Sequence, residues 1–347
     1  MSIDRYDFEA CVAWLGNTAL GFSALEFLKR TIVDIFGTLP DGRDVHSVRL
    51  RNDDIEVRIL TFGASVQNLS LNGAPMVIGS EDLNDYLGPM QYFGAIVGRV
   101  ANRIAHARAQ IGSQQISLNV NEASGNCLHG GQNGASAQIW KVAETGPRHV
   151  VFELTLPDGH MGFPGKLEVR ARYELHDLTL GLEISAQSDA TTLCCFAPHL
   201  YWNLSGEPNI NDHSLKIAAQ DYLPLDARSI PTGEVARVRG TDFDFTNMRK
   251  LAGTELDHNF CISNLRQDLR PVLWLKSAQS GVALEVASTE TGVQVYDARH
   301  LDRTGLAIEP QVWPDAINQE GFPKLILEAG ETYRAIIEFR LSKRAHS

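Results

Sequence analysis

Glu309 stands where strand chemistry alone would not put a carboxylate. Leu306, Ala307 and Ile308 read as the end of a buried strand, Glu309 follows directly, and Pro310 is expected to stop ladder pairing. Pro314 and Pro323 then impose an extended, irregular path past Trp313 and Asp315. A carboxylate at the mouth of an apolar strand, beside an aromatic ring and a stiff loop, suits an acid–base or sugar site. A strand-end ion pair is the plainer alternative. Other candidates stand in short apolar contexts: Arg99, Asn102 and Arg103 in GRVANRI, His129 in NCLHGG, His199, Tyr201 and Trp202 in FAPHLYWNLSG, Asp257 and His258 in LDHNF. Imidazole and carboxylate exchange protons near neutrality, and amides and guanidinium groups hold hydroxyls. Each also has a structural reading: a hydrogen-bonded core histidine, an ion-paired Arg103, an Asp257 that caps a turn, core tryptophans. The glycines after His129 let backbone approach a ligand closely. No Lys-Ser or Lys-Thr follows them, which argues against a phosphate loop. The GFPG stretch from Gly162 to Gly165 reads as a turn only.

The elements that must position these groups are strands. Leu167, Val169, Ala171, Tyr173 and Leu175 alternate with polar residues, as do Leu178, Leu180, Leu182 and Ile184, and His176-Asp177 reads as the turn between them. Further strands are expected at Val150 to Leu156, Leu215 to Ala219, Val282 to Ala287, Gly292 to Tyr296 and Ala335 to Leu341. After residue 30 the pattern supports no long helix, only one short turn near Glu81 to Leu87. Glycine and proline cluster between the strands, and neither a repeat nor a linker divides the body. Residues 32–343 are therefore expected to form one large antiparallel β-sandwich.

Composition excludes several function classes. A formal net charge of −11 argues against nucleic acid or an anionic membrane as the main partner. The five cysteines include an adjacent pair and no C-x-x-C spacing, so they read as reduced thiols of a cytoplasmic protein. Cys127 and His129 have no second pair with which to complete a zinc site. Residues 1–31 form an extension, read either as disordered or as one weak amphipathic helix that Phe8, Val12, Leu15, Ala19 and Phe22 allow, and its uncharged run is too short for a membrane span. Its leader lacks the basic start of a secretory signal.

In order along the chain, these fragments resemble the aldose 1-epimerase (galactose mutarotase) family from about residue 35 to 343. The resemblance rests on GRVANRI, LHGG, HLYWNL, YLPLD with IPTGE, FDF, LDHNF, TGVQVY and EPQVWPDAIN. It implies a galactose-mutarotase-like β-supersandwich and interconversion of the α and β anomers of free aldoses without cofactor or metal, by a monomer or homodimer. By motif, Glu309 is expected to be the general base and His199 the general acid. Asn102, Arg103, His129, Asp257 and Gln294 are expected to bind sugar hydroxyls, and Tyr201 to line the pocket. Arg103 is further expected to keep Glu309 ionised.

The chain departs from the family pattern in three places: the extension, the Ala197-Pro198 before His199, and the short basic segment DARHLDRT after Tyr296. Arg299, His300 and Arg303 in that segment raise an alternative, an anion clamp for phosphorylated or acidic sugars; an ordinary solvated loop is the plainer reading. A non-catalytic sugar-binding protein on the same fold has no need of Glu309 and His199 together. A glycoside hydrolase would pair Glu309 with a second carboxylate such as Asp257 or Asp315.

Overall fold

The structure, a computed structural model, describes residues 33–343; the 1–31 extension with its expected helix lies outside the described residues. Three antiparallel sheets hold most of the chain. The largest has nine strands, ordered Lys141–Thr145, His149–Leu156, Leu167–His176, Thr179–Ser188, Thr332–Lys343, Val282–Ser288, Arg270–Ser277, His213–Ile217 and Arg249–Lys250. A six-stranded sheet runs Tyr201–Trp202, Leu306–Gln311, Gly292–Tyr296, Asp257–Cys261, Asp221–Tyr222 and Ala236–Arg237. A five-stranded meander covers Val33–Thr38 to Ala74–Pro75.

Period-two burial builds the core. In Leu167–His176 every second residue from Leu167 to Leu175 is buried, and its partner strand buries Leu180, Leu182, Ile184 and Ala186 against the same side. These side chains form one continuous core with Val48, Leu50, Val57 and Ile59 of the meander and Trp202, Val293, Val295, Leu306 and Ile308 of the six-stranded sheet. Trp202 meets Phe339 of the large sheet at a ring-centroid separation of 5.1 Å. The expected sandwich is therefore present, with three sheets sharing its interior. The one α-helix among the described residues, Leu83–Tyr86, falls within the expected short turn; Asp82 caps it by accepting the Asn84 amide. Among the described residues no helix is long and apolar enough to cross a membrane.

Several local expectations need correction. His176 pairs with Thr179, so the hairpin turn is Asp177-Leu178, one residue later than the sequence suggests. Asp177 takes the left-handed conformation there, which a short polar side chain tolerates. Pro310 does not stop the ladder: it lies opposite Val293, and Gln311 lies opposite Gly292. Beyond Ala307 the strand's other edge has no ladder partner among the described residues, and such an edge is where proline is accommodated. The GFPG stretch is more than a turn. The buried Arg99 guanidinium donates to the carbonyls of Pro164 and Gly165 at 2.8 and 2.9 Å, and also to Leu156 O and Thr192 Oγ1 at 3.3 Å. None of these acceptors is a carboxylate, and burial pulls the Arg99 pKa down to about 10.

Arg99 thereby ties the GRVANRI loop to the turn that enters the large sheet. Replacing it with methionine leaves buried carbonyls unpaired. The expected cost is about 2 to 3 kcal/mol of stability, read as a lower urea midpoint at unchanged m-value.

Candidate active site

Leu306–Gln311 is buried along its whole length, yet its two faces differ in chemistry. Leu306 and Ile308 enter the core, while Ala307 and Glu309 point the other way. The ladder carries this alternation across the sheet. Glu309 lies opposite Gln294, and one pleat along, Ala307 lies opposite Tyr296, which lies opposite Asp257. On the other side Ala307 is paired with Tyr201. One sheet face thus presents Glu309, Gln294, Asp257, Tyr296 and Tyr201 as two adjacent rows.

This face floors a pocket of about 310 Å³, and Asn102, Arg103, His129 and His199 complete its walls. All eight residues singled out from the sequence line this one cavity. Four other candidates serve elsewhere. Arg99 is the clamp described above. His258 packs against Phe243 with ring centroids 4.2 Å apart. Trp313 Nε1 donates to Thr291 O at 2.9 Å. Asp315 accepts the Ala105 amide and the Asn318 side chain on Oδ1 and Gln319 Nε2 on Oδ2, so it is unsuited to be a second catalytic carboxylate.

The loop residues hold one another. The His129 amide donates to Asn102 O at 2.9 Å, and the Asn102 amide donates back to His129 Nδ1 at 3.1 Å. Both residues have positive φ. Gly130 allows this closeness: a Cβ there would stand 2.1 Å from Gly98 O. The glycine therefore admits the neighbouring backbone of GRVANRI rather than a ligand. Because Nδ1 accepts an N–H, the neutral His129 ring carries its proton on Nε2. Burial, then the neighbouring His199, keep its pKa well below the usual histidine value.

His199 is held through its backbone, donating to Ala95 O and accepting from the Gly94 amide, each at 2.9 Å. Its ring stacks on Tyr201 at 5.0 Å and meets His129 edge-on at 5.2 Å. His199 Nε2 lies 3.4 Å from Glu309 Oε1, with both side chains buried. Burial pulls His199 down to about 4 and pushes Glu309 well above the usual carboxylate range, aided by the Asp257 charge. Arg103 opposes that rise only as the weakest influence, and it does not hold Glu309 ionised as expected. Its guanidinium is taken by Glu122, with Nε 3.1 Å from both carboxylate oxygens and Nη2 at 3.0 Å. Asp257 in turn accepts Gln294 Nε2 at 2.7 Å.

The basic segment is also neutralised. Arg303 donates to the fully buried Asp297 at 2.7 Å and to Thr254 O at 2.9 Å. Arg299 pairs with Glu255 and Asp297. Only His300 of that segment lines the pocket. Among the lining residues that the sequence reading missed are two tyrosines. Tyr92, 4.7 Å from the His129 ring, gives no signal of its own. Tyr296 was within reach, since it lies two residues beyond Gln294 on a strand.

His129, His199 and Glu309 bring three potential metal-ligand atoms within 4.8 Å of one another. Their chemistry does not fit an ion. His129 Nδ1 is committed to the Asn102 amide, and its Nε2 bears the proton, so this imidazole offers no free lone pair. A donor N–H beside a carboxylate–imidazole pair suits a hydroxylated ligand instead.

Fold and pocket together define a β-sandwich protein with a buried carboxylate–imidazole pair at the floor of a polar cleft. Comparison with known proteins gives the particular family. The aldose 1-epimerase family profile matches residues 46–340, and the chain belongs to that family. It is 38% identical to mouse galactose mutarotase and 37% identical to the human protein, in each case over 89% of this chain and 97% of the relative. The Escherichia coli aldose 1-epimerase is 28% identical over 87% of this chain and 96% of the relative. Among solved structures, a GalM/aldose epimerase homologue from Caenorhabditis elegans superposes with a TM-score of 0.82 at 27% identity, covering 87% of this chain and all of that one. The galactose 1-epimerase of Lactobacillus acidophilus gives 0.81 at 25% identity, over 91% and 99%.

The His129 tautomer is directly testable. Heteronuclear NMR of its ring is expected to show an unprotonated Nδ1 and a protonated Nε2 at neutral pH and on down through the usual histidine range; protonation of both nitrogens within that range would contradict the hydrogen bond.

Proposed function

We propose that this protein is a cofactor-independent aldose 1-epimerase that interconverts the α and β anomers of free, uncharged aldoses such as galactose or glucose. The observation that carries the reading is the 3.4 Å approach of His199 Nε2 to Glu309 Oε1, both buried, at the floor of one polar pocket. Family membership supports the same activity. The working unit is residues 32–343, and the reduced thiols Cys127, Cys194, Cys195 and Cys261 favour a cytoplasmic setting.

In this mechanism Glu309 takes the proton of the anomeric hydroxyl while His199 delivers one to the ring oxygen. The O–H electron pair becomes the second bond of the aldehyde carbonyl, and the broken C1–O bond leaves its pair on the ring oxygen. Rotation about the bond between carbons 1 and 2 presents the other carbonyl face. Ring closure then returns both protons with the two roles exchanged. The catalytic pair needs one proton in total. The buried environment favours that proton on Glu309 with His199 neutral, which is the same protonation count as a carboxylate beside an imidazolium. Which sugar oxygen each group faces then decides which gives and which takes. Asn102, Arg103, His129, Asp257 and Gln294 hold the remaining hydroxyls, and Tyr201 walls the pocket beside His199.

Three paired arginines favour uncharged sugars. Arg103 is bound by Glu122, Arg299 by Glu255 and Asp297, and Arg303 by Asp297, so the clamp reading lacks a free guanidinium. Polarimetry is expected to show faster anomer relaxation of galactose and glucose but not of their 6-phosphates. Preferred turnover of the phosphates would reverse this assignment.

Glu309→Gln and His199→Asn are each expected to lower kcat by ~10²–10⁴-fold with the fold intact by circular dichroism; near-normal rates in either variant would remove that residue from the mechanism. The pH profile of kcat/KM should be bell-shaped. Its acid limb lies near the His199 value of about 4, where a second proton removes the base. Its basic limb lies above the usual carboxylate range, where losing the single proton removes the acid.

A further inference from the structure

Resting on that reading and deepening it, we propose that Glu122 is a positioning residue for substrate binding, which holds the Arg103 guanidinium with one nitrogen left to donate to a sugar hydroxyl. Arg103 lines the pocket, whereas Glu122 is not part of the cavity wall. The carboxylate takes Nε at 3.1 Å and Nη2 at 3.0 Å. Nη1 has no protein partner among the described residues and is the donor that remains for a ligand. The pairing thus cancels the charge of Arg103 without using up its hydrogen-bonding capacity. Side-chain exposure is only 16% for Arg103 and 18% for Glu122, so solvent screens the pair weakly.

What anchors each residue decides which one positions the other. Arg103 is fixed at its backbone: its amide donates to Asn102 Oδ1 at 2.9 Å, and its carbonyl accepts the Asp315 amide at 3.0 Å. Among the described residues, Glu122 alone accepts from its side chain. Without that carboxylate a long, rotamer-rich arm would have to be ordered by the ligand, and binding would weaken by the entropy of ordering it.

Glu122, by contrast, sits in a short loop fastened independently of Arg103. The Asn121 side chain donates to Leu128 O at 2.9 Å and accepts the Leu128 amide at 2.7 Å. The Asn121 amide donates to Asn126 O at 3.3 Å, and the Gly125 amide donates to Glu122 O at 3.0 Å. Leu128 lies directly opposite Arg103 in the two-stranded ladder of Arg103–Ile104 with Cys127–Leu128. The loop is therefore locked to the residue facing Arg103, and its carboxylate sets where the guanidinium rests.

The test compares kcat and KM for galactose in the unmodified protein, Glu122→Ala, Arg103→Met and the variant carrying both changes, with folding checked by circular dichroism. Glu122→Ala is expected to raise KM about 3- to 10-fold, the worth of one ordered hydrogen bond, while kcat stays near that of the unmodified protein. Arg103→Met is expected to raise KM at least as far. Once Arg103 is replaced, adding Glu122→Ala should raise KM no further, because the group that the carboxylate orients is gone. Glu122→Gln, which keeps an acceptor of the same length, should lie between the unmodified protein and Glu122→Ala, and it takes the place of Glu122→Ala in the comparison if that variant does not fold. A KM rise of the same factor with and without Arg103 would mean that Glu122 only supports its loop, and would overturn the proposal. So would an unchanged KM in Glu122→Ala or in Arg103→Met, or a fall in kcat alone. Each of these outcomes leaves the epimerase reading intact, since the unmodified protein still relaxes galactose; its failure to do so would overturn both.

Discussion

The site depends on register in one sheet. A strand offers its two faces to two different environments, and in Leu306–Gln311 one face is core and the other is chemistry. Pairing with Gly292–Tyr296 places Gln294 beside Glu309, and pairing with Asp257–Cys261 adds Asp257 to the adjoining row. A one-residue slip of the central strand would put Glu309 into the apolar interior and Ile308 into the pocket. The hydrophobic core of the sandwich therefore fixes the position of the carboxylate as strictly as any direct contact does.

Burial on that face then sets the electrostatics. A carboxylate and an imidazole removed from water both favour their neutral forms, and here neither has a strong counter-charge. Arg103, the obvious candidate, is saturated by Glu122. The result is a pair in which burial raises the carboxylate and lowers the imidazole.

Around this pair the loops are held by backbone and by buried polar anchors. His129 and Asn102 exchange hydrogen bonds, Gly130 lets two backbone segments meet, and Arg99 draws the same loop onto the GFPG turn. Asp315 completes the arrangement. Its amide donates to Arg103 O and its carboxylate accepts the Ala105 amide, which ties the segment following Glu309 to the loop that presents Asn102 and Arg103. Each anchor has its hydrogen-bonding capacity largely used within the protein, leaving the pocket-facing nitrogens and oxygens for a ligand.

Much of this was legible in the chain itself. Period-two patterning gave the strands of the hairpin at Leu167 and the run Gly292 to Tyr296, because burial on one face imposes that alternation locally. Motif resemblance brought Asn102, Arg103, His129, His199, Tyr201, Asp257, Gln294 and Glu309 together, and all eight line one cavity. What the chain could not disclose is which partner each charge would choose. By sequence Arg103 is expected to serve Glu309, and in space it binds Glu122; Arg299 and Arg303 look like a clamp and are consumed by Glu255 and Asp297. Strand period and local motif are properties of neighbouring residues, so the sequence determines them. Ion pairing, ladder register past Pro310 and the titration of a buried carboxylate depend on groups distant in the chain, and only the assembled sheets decide them.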